Sequence, residues 1–120
     1  MTKKIEAIIS QEKLGVVKEA LRAVGIIGMN VMEIRGRGRH GSGNGEGQET
    51  DLLPKVQINI VLSDHNVEKT IMTIRQAVNG DEAADGIIFI LPVEDVIRIR
   101  SGERGRAALM YPHDIDERQA

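Results

Sequence analysis

The order of strand-like and helix-like segments restricts the fold of this chain more than any other feature of its sequence. A strand buried on one side alternates apolar and polar residues, whereas an amphipathic helix repeats its apolar residues every three or four positions. In chain order, these patterns predict strands at residues 4–9, about 29–38, 56–60 and 87–91, and helices at 12–24 and 66–78. Strand, helix and strand therefore occur twice in succession. This order predicts an α+β, ferredoxin-like βαββαβ sandwich, an antiparallel sheet with both helices on one face.

The segments outside this pattern are less regular. Residues 93–99 form a further strand-like stretch, and after Ser101 the chain is mostly polar and charged. We therefore expect one domain at residues 1–105 and a polar C-terminal tail at 106–120, whose placement the pattern leaves open. The fully apolar strand at 87–91 needs cover on both faces, and two helices on one face cannot supply it. We expect a partner subunit on the other face.

Composition restricts the classes of function and the location of the chain. Eighteen acidic and 16 basic residues give a formal net charge of −2, so no overall charge attracts the chain to nucleic acid or to an anionic membrane. The absence of Cys excludes thiolate metal sites, thiol catalysis and disulfides. The N-terminus lacks the apolar run of a signal peptide, and no stretch approaches the length of a membrane span. We expect a soluble, cytoplasmic protein.

Two alternative classes of function find little support in the sequence. A ferredoxin-like module that binds single-stranded RNA stacks bases on aromatic side chains, but Phe89 and Tyr111 are the only aromatic residues of this chain. An enzyme needs a nucleophile with its base, a metal-ligand spacing or paired carboxylates, and none of these stands out. His40, His65 and His113 lie far apart in sequence. We expect neither catalysis nor a metal site.

A glycine-rich stretch separates the two halves of the chain. Six glycines and three arginines occupy residues 35–47, RGRGRHGSGNGEG. Gly36, Gly38 and Gly41 match the G-x-G-x-x-G motif of dinucleotide-binding turns. That motif requires a helix directly after it, whereas no apolar residue follows until Leu52. A dinucleotide-binding turn is therefore not indicated, and the glycines and arginines need another explanation.

Several blocks of sequence, taken together, resemble the PII family of nitrogen-signalling proteins. They are residues 3–9 (KKIEAII), 17–21 (VKEAL), 24–26 with 28–29, 53–56 (LPKV) and 96–103 (VIRIRSGE). The resemblance covers roughly residues 3–106. It implies a non-catalytic regulator that forms a homotrimer of ferredoxin-like subunits, with nucleotide sites in the clefts between them. It also implies a flexible loop, here about residues 39–52, that docks onto a target protein.

The resemblance further implies ligands, targets and site residues. ATP or ADP, magnesium and 2-oxoglutarate would set the shape of the loop, and the target would be a nitrogen-metabolism protein such as nitrogenase, glutamine synthetase or an ammonium channel. Matched position by position, the nucleotide-binding residues are Asn30, Gly36, Gly38, Arg39, Asp85, Gly86, Arg98 and Arg100, and the 2-oxoglutarate residues are His40 and Lys55. In this interpretation, the glycines let backbone N–H groups approach phosphate, and two arginines reach it from the neighbouring subunit.

The chain departs from the family pattern at several places, among them Asn30, which stands where the family has a threonine. Residues 80–87 read GDEAADGI where the family has Thr-Gly-x-x-Gly-Asp-Gly-Lys, so Ile87 replaces a lysine while Asp81 and Glu82 add negative charge. His40 replaces a glutamine that binds 2-oxoglutarate and magnesium, and magnesium prefers oxygen ligands. The loop lacks the tyrosine that some bacterial members have uridylylated. We expect weakened ATP binding, and the alternative to a homotrimer is a mixed complex with a sister PII-like protein that regulates nitrogenase.

The arginines also have interpretations that need no ligand. Arg35 and Arg37 fit a solvated strand face as well as a phosphate site. Arg98 and Arg100 fit surface ion pairs with nearby carboxylates such as Glu103, which contribute little to stability.

Overall fold

A computed structural model describes residues 1–37, 52–79, 86–110 and 112–118 of the chain. The main elements follow the order strand, helix, strand, strand, helix, strand, and two short helical segments come after the last strand. In chain order, the elements are β1 (Thr2–Ser10), α1 (Leu14–Ala23), β2 (Asn30–Gly36), β3 (Leu53–Ser63), α2 (Val67–Val78), β4 (Ile87–Val93), a 3₁₀ turn (Gly105–Leu109) and α3 (Ile115–Arg118). Further 3₁₀ turns at Gln11–Lys13 and Asp64–Asn66 lead into α1 and α2. The predicted βαββαβ order is confirmed.

The four strands form one sheet in the order β2-β3-β1-β4, and every neighbouring pair is antiparallel. The register places Ile5 of β1 between Ile60 of β3 and Ile90 of β4. Strands β1 and β3 are therefore central, whereas β2 and β4 lie at the edges. The order confirms the predicted ferredoxin-like topology.

The core lies between the helices and one face of the sheet. Alternate residues of the two central strands are buried here, and apolar residues at helical spacing on α1 and α2 pack against them. The central members of this core are Ile5, Ala7, Ile9, Val17, Leu21, Val56, Ile58, Ile60 and Ile74. Gly25, with φ of 91°, ends the turn that follows α1, as a glycine at this position predicts. Both predicted helices thus cover the same face of the sheet.

The other face of the sheet is uncovered in the single chain. Met32, Ile87 and Phe89 are 46%, 51% and 45% exposed, and the register places Ile87 beside Ile8 on this face. Ile87 and Phe89 lie two residues apart on the same side of β4, and neighbouring exposed apolar side chains of this kind mark an interaction surface. The expected partner subunit on this face stays a prediction.

The strand-like stretch predicted at residues 93–99 is wrong. Strand β4 ends at Val93, and beyond it Ile97 makes a single antiparallel bridge with Arg104 in a tight hairpin. The Asp95 side chain explains the break, because its Oδ1 accepts the backbone N–H of Val96 at 2.8 Å. Such local side-chain bonds compete with strand pairing.

The C-terminal segment packs against the domain over most of its described length. Ala108, Leu109 and Ile115 are at most 9% exposed, and Asp116 is 1% exposed. The domain boundary predicted at residue 105 stays a prediction. None of the helices in the described ranges has the length and apolar character that crossing a membrane requires.

Candidate functional site

The predicted site residues occupy two opposite ends of the sheet. At one end, β1 and β2 finish while β3 and β4 begin, and we call this the loop end. It holds Gly36, Lys55 and Gly86, because Gly36 lies opposite Leu53, Lys55 lies opposite Ser10, and Gly86 directly precedes β4. Three of the predicted residues therefore lie at the same end of the sheet.

Four further predicted residues belong to the two segments that adjoin strand ends at the loop end. Gly38, Arg39 and His40 follow β2, and Asp85 precedes β4. All four lie outside the described residues, as does most of the predicted loop at 39–52. Their roles stay predictions.

Packing explains one loop-end glycine and leaves the other unexplained. A Cβ atom at position 86 would lie 2.6 Å from the backbone carbonyl oxygen of Ile8, closer than real Cβ contacts allow. Only glycine therefore fits where β4 comes up against β1. At position 36 the nearest atom to an added Cβ would be the Lys55 Cδ at 3.8 Å, an ordinary contact. Packing among the described residues therefore permits a larger residue at position 36.

The opposite end of the sheet, where β1 begins and β3 and β4 finish, carries Arg98 and Arg100. We call this the tail end, and it includes residues 94–118 as far as they are described. The Arg98 Nη2 donates to the backbone carbonyls of Ala108 at 3.0 Å and Met110 at 3.3 Å. Its Nε lies 3.6 Å from a carboxylate oxygen of Glu103. Arg98 is half-buried and oriented by the chain that follows it, whereas Arg100 is exposed.

A cavity of about 560 Å³ opens beside Arg98. It is lined by Arg98, Glu103, Arg106, Ala107 and Met110. Two guanidinium groups against one carboxylate make the site net positive, and guanidinium forks match the oxygens of phosphates and carboxylates. The cavity therefore suits an anionic group. Arg106 was not predicted as a site residue, and the mixed charge of its segment hides it in the sequence.

A second, larger groove of about 710 Å³ runs between α2 and β4 and reaches Gly86 at the loop end. Most of its lining is apolar, including Ile71, Met72 and Ile90. This lining offers little to a phosphate group but would accept an apolar or aromatic one.

Asn30 lies apart from the loop-end glycines. It begins β2, is exposed and pairs with Asn59, whereas Gly36 ends the same strand. Six residues of extended strand separate these two positions by about 20 Å. A single chain therefore places Gly36, Lys55 and Gly86 at one end of the sheet and keeps them away from Asn30, Arg98 and Arg100.

Charges at the tail end form one well-defined ion pair. Arg104 contacts Asp95 with an N–O distance of 2.8 Å. The side-chain hydrogen bond from Arg104, followed by the backbone N–H of Val96, lowers the pKa of Asp95 below its ordinary value. This pair closes the hairpin that carries Arg98 and Arg100.

Metal ligation is not supported by the part of the chain that the structure describes. No group of three or more His, Asp or Glu side chains in these ranges has the arrangement of a metal site.

Comparisons with known proteins identify the family. The family model "Nitrogen regulatory protein P-II" matches residues 2–103. A protein of that name from Azospirillum brasilense is 50% identical over 112 residues, which cover 89% of this chain and 99% of the relative. A second, "Nitrogen regulatory protein P-II 2" from Methanothermobacter thermautotrophicus, is 46% identical over 111 residues, covering 89% and 96% of the two chains.

A solved structure agrees with the sequence comparisons. The crystal structure of Arabidopsis thaliana PII bound to citrate superposes with a TM-score of 0.72 at 40% identity, over 89% of this chain and 91% of the plant chain. The predicted family and fold are both confirmed. The chain therefore belongs to the PII family of nitrogen regulatory signal transducers.

Proposed function

We propose that this chain is a PII signal transducer whose nucleotide site lies between subunits. ATP or ADP would bind where the loop end of one copy meets the tail end of another, within a cytoplasmic homotrimer. The observation that carries the proposal is the distribution of the site residues over opposite ends of the sheet. A site that needs both ends is complete only when two copies contribute to it.

The chemistry of each end supports this division. At the loop end, glycine backbone can approach phosphate oxygens closely and donate N–H groups to them. At the tail end, Arg98 is held with a cavity beside it, and Arg100 is exposed only two residues away. Guanidinium groups from one subunit would then neutralise phosphates bound by the backbone of its neighbour.

The uncovered face of the sheet supports assembly. Phe89 and Ile87 on β4 and Met32 on β2 are each about half exposed, and a second copy would remove them from water. The proposed trimer therefore gives this apolar face the cover that the helices do not supply.

Lys55 supports a second ligand at the loop end. Its half-buried side chain lies beside Gly36, where the segment that leads to residues 38–51 departs from β2. The plant PII structure holds citrate, an organic carboxylate, and 2-oxoglutarate belongs to the same chemical class. We propose that Lys55 pairs with a carboxylate of 2-oxoglutarate, together with His40.

Regulation then follows from the position of the loop. An effector can change the loop only by binding one of its conformations better than another. Ligands at the loop end contact the two strand ends from which residues 38–51 depart, so occupancy would select the loop conformations that engage a nitrogen-metabolism target.

Ile87 favours a second candidate, a mixed complex with a sister PII-like protein that regulates nitrogenase. Ile87 begins β4 with half of its side chain exposed, at the position where the family pattern has a lysine. An apolar side chain there cannot neutralise phosphate, and a sister subunit could supply the cation. A homotrimer that binds ATP tightly by itself would exclude this candidate.

Titration calorimetry tests the leading proposal. The purified protein is titrated with ATP and with ADP, each with and without magnesium and 2-oxoglutarate, beside an Arg98→Ala/Arg100→Ala double variant. Arg22→Ala is the matched control, because Arg22 is an exposed arginine on α1 with a single long ion pair to Glu19. Binding by the wild type and by Arg22→Ala, with loss in the double variant, supports the proposal. Equal binding by all three proteins, or none by the wild type, contradicts it.

A further inference from the structure

The C-terminal segment is fixed to the domain by a buried carboxylate. Asp116, 1% exposed, accepts the backbone N–H of Ser63 at 3.0 Å through Oδ2. Its Oδ1 accepts a hydrogen bond from the side-chain amide of Asn66. Hydrogen bonds to a charged acceptor are stronger than those between neutral groups. Asp116 therefore ties α3 to the junction between β3 and α2.

A second carboxylate ties the same segment to the connection between α1 and β2. The Asp114 Oδ1 accepts the backbone N–H of Ile27 at 3.2 Å, and its Oδ2 accepts that of Asp116 at 3.3 Å. The backbone N–H of Ile115 donates to the carbonyl of Gly25 at 2.8 Å. Asp114, Ile115 and Asp116 together form an anchor, which we call the tail latch.

Packing connects the tail latch to Arg98. Ile115 and Leu109 line the same small cavity at the end of β3. Leu109 stands between Ala108 and Met110, whose carbonyls accept the two hydrogen bonds of the Arg98 Nη2. A latch that holds Ile115 in place therefore also limits how far those two carbonyls can move.

We propose that Asp114 and Asp116 are positioning residues for Arg98, holding its guanidinium in the orientation that binds an anionic group. The proposal takes its ligand, a nucleotide phosphate, from the function proposed above. The two carbonyls that orient Arg98 are neutral, so they fix the direction of its guanidinium without adding a negative charge beside it. The latch lies beyond residue 103, where the family model ends, so the matched part of the family pattern does not contain it.

Arg100 provides the internal contrast. It lies two residues from Arg98 and is exposed, and the structure shows no hydrogen bond between its side chain and any other described residue. Loosening the latch should therefore weaken the contribution of Arg98 to binding and leave that of Arg100 unchanged.

The first test measures ATP affinity in Asp116→Ala and Asp114→Ala by calorimetry, with Glu19→Ala as control. Glu19 is an exposed carboxylate on α1, so its removal changes the net charge equally without touching the latch. We expect a loss of about three- to tenfold in both latch variants, the size expected from freeing one immobilised side chain. The control should bind as the wild type does. Unchanged affinity in both latch variants overturns the proposal.

A double-mutant cycle separates positioning from a general structural effect. Lysine lacks the guanidinium fork that the two carbonyls orient, so Asp116→Ala should cost little further affinity in an Arg98→Lys background. In an Arg100→Lys background, Asp116→Ala should cost as much as in the wild type. An equal loss of affinity in both backgrounds overturns the proposal.

A measurement without ligand tests directly whether the latch positions the Arg98 guanidinium. In protein labelled with ¹⁵N-arginine, the Arg98 Nη signals should be resolved in the wild type and in Glu19→Ala. In Asp116→Ala and Asp114→Ala, the separate Arg98 Nη signals should merge into an averaged signal, while the backbone amide spectrum is retained. Unchanged Arg98 signals in both latch variants overturn the proposal. Absence of ATP binding by the wild type instead contradicts the proposed function, and these signals still decide the role of the latch.

Discussion

The two ends of the sheet differ in how their site residues are held. At the tail end, Arg98 is oriented by two carbonyls, and the segment that carries those carbonyls is anchored by Asp114 and Asp116. At the loop end, Lys55 lies beside Gly36, where the strands meet the segments at 38–51 and 80–85.

This difference suggests a division of labour between the ends. A fixed cationic side chain binds a phosphate with little loss of conformational freedom, because its orientation is set before the ligand arrives. A regulatory output, by contrast, requires an element with more than one conformation whose populations a ligand can shift. The tail end is therefore suited to holding an anionic group, and conversion of its presence into a signal at the loop end belongs to the proposed function.

Asp116→Ala should have the largest effect on stability, because it removes the carboxylate that anchors the tail end. The substitution leaves the Ser63 N–H and the Asn66 side-chain amide buried without this acceptor, and each unsatisfied group costs about 1–3 kcal/mol. We expect the free energy of unfolding to fall by about 2–5 kcal/mol in urea denaturation. Glu19→Ala should change it very little, because that carboxylate is exposed. A stability loss in Asp116→Ala no greater than in the control contradicts the buried anchor.

Gly86→Ala should lower stability less than Asp116→Ala does, by disturbing the packing of β4 against β1 at the loop end. The added Cβ would meet the Ile8 carbonyl oxygen at 2.6 Å, so β4 must shift away from β1, at a cost of about 1–3 kcal/mol. Gly15→Ala is the matched control. Gly15 is the second residue of α1 and has nothing within 4 Å of an added Cβ, so this change should stabilise the protein by about 0.4–1 kcal/mol, chiefly by restricting the unfolded chain. The same sign for both variants in thermal unfolding would contradict the close approach at Gly86.

The two ends should also differ in which ligand each one binds. Arg98→Ala should weaken ATP binding by about tenfold or more, because it removes a charge-assisted contact. Lys55→Ala should leave the binding of ATP alone nearly unchanged and weaken the added effect of 2-oxoglutarate. Calorimetry with each ligand separately and together measures both. Equal loss of both ligands in both variants would show that the ends do not have separate roles.

Asp95→Asn should have the smallest effect. The pKa of Asp95 is lowered by Arg104, so its ion pair stabilises the folded state above the ordinary pKa of Asp and loses this contribution as the pH falls through the lowered value. The melting temperature of the variant should lie slightly below that of the wild type near neutral pH, and the difference should vanish in strong acid. Screening by solvent keeps the effect small, because the pair is on the surface. A difference in melting temperature that grows as the pH falls would contradict the assignment of this pair.

The sequence predicted the fold well because each main element carries its own periodic pattern. Val56, Ile58 and Ile60 alternate with Lys55, Gln57 and Asn59 and face the helices, as half-buried strand residues should. The prediction was wrong at residues 93–99, where the Val and Ile residues have the composition of a strand. That pattern does not show that the Asp95 side chain accepts a hydrogen bond from the backbone N–H of Val96.

Less of the candidate site could be predicted from the sequence. Blocks of family sequence suggested Gly36, Lys55, Gly86, Arg98 and Arg100, but no local pattern shows that the first three meet at one end and the two arginines at the other. Strand pairing between residues far apart in the chain sets that arrangement. The tail latch was missed because an isolated Ile115 between two aspartates reads as a solvated segment, and only tertiary contacts bury it.

The central claim is that one nucleotide site needs two copies of the chain, and mixed assemblies test it most directly. Arg39→Ala removes the cation predicted for the loop end, and Arg98→Ala/Arg100→Ala removes the two arginines of the tail end. Each variant alone should bind little ATP. Random co-assembly of equal amounts should restore about one quarter of the wild-type sites, each pairing an intact loop end with an intact tail end. Native mass spectrometry counts the mixed species and calorimetry counts the sites. Mixed oligomers that bind no more ATP than either parent would contradict a site shared between subunits.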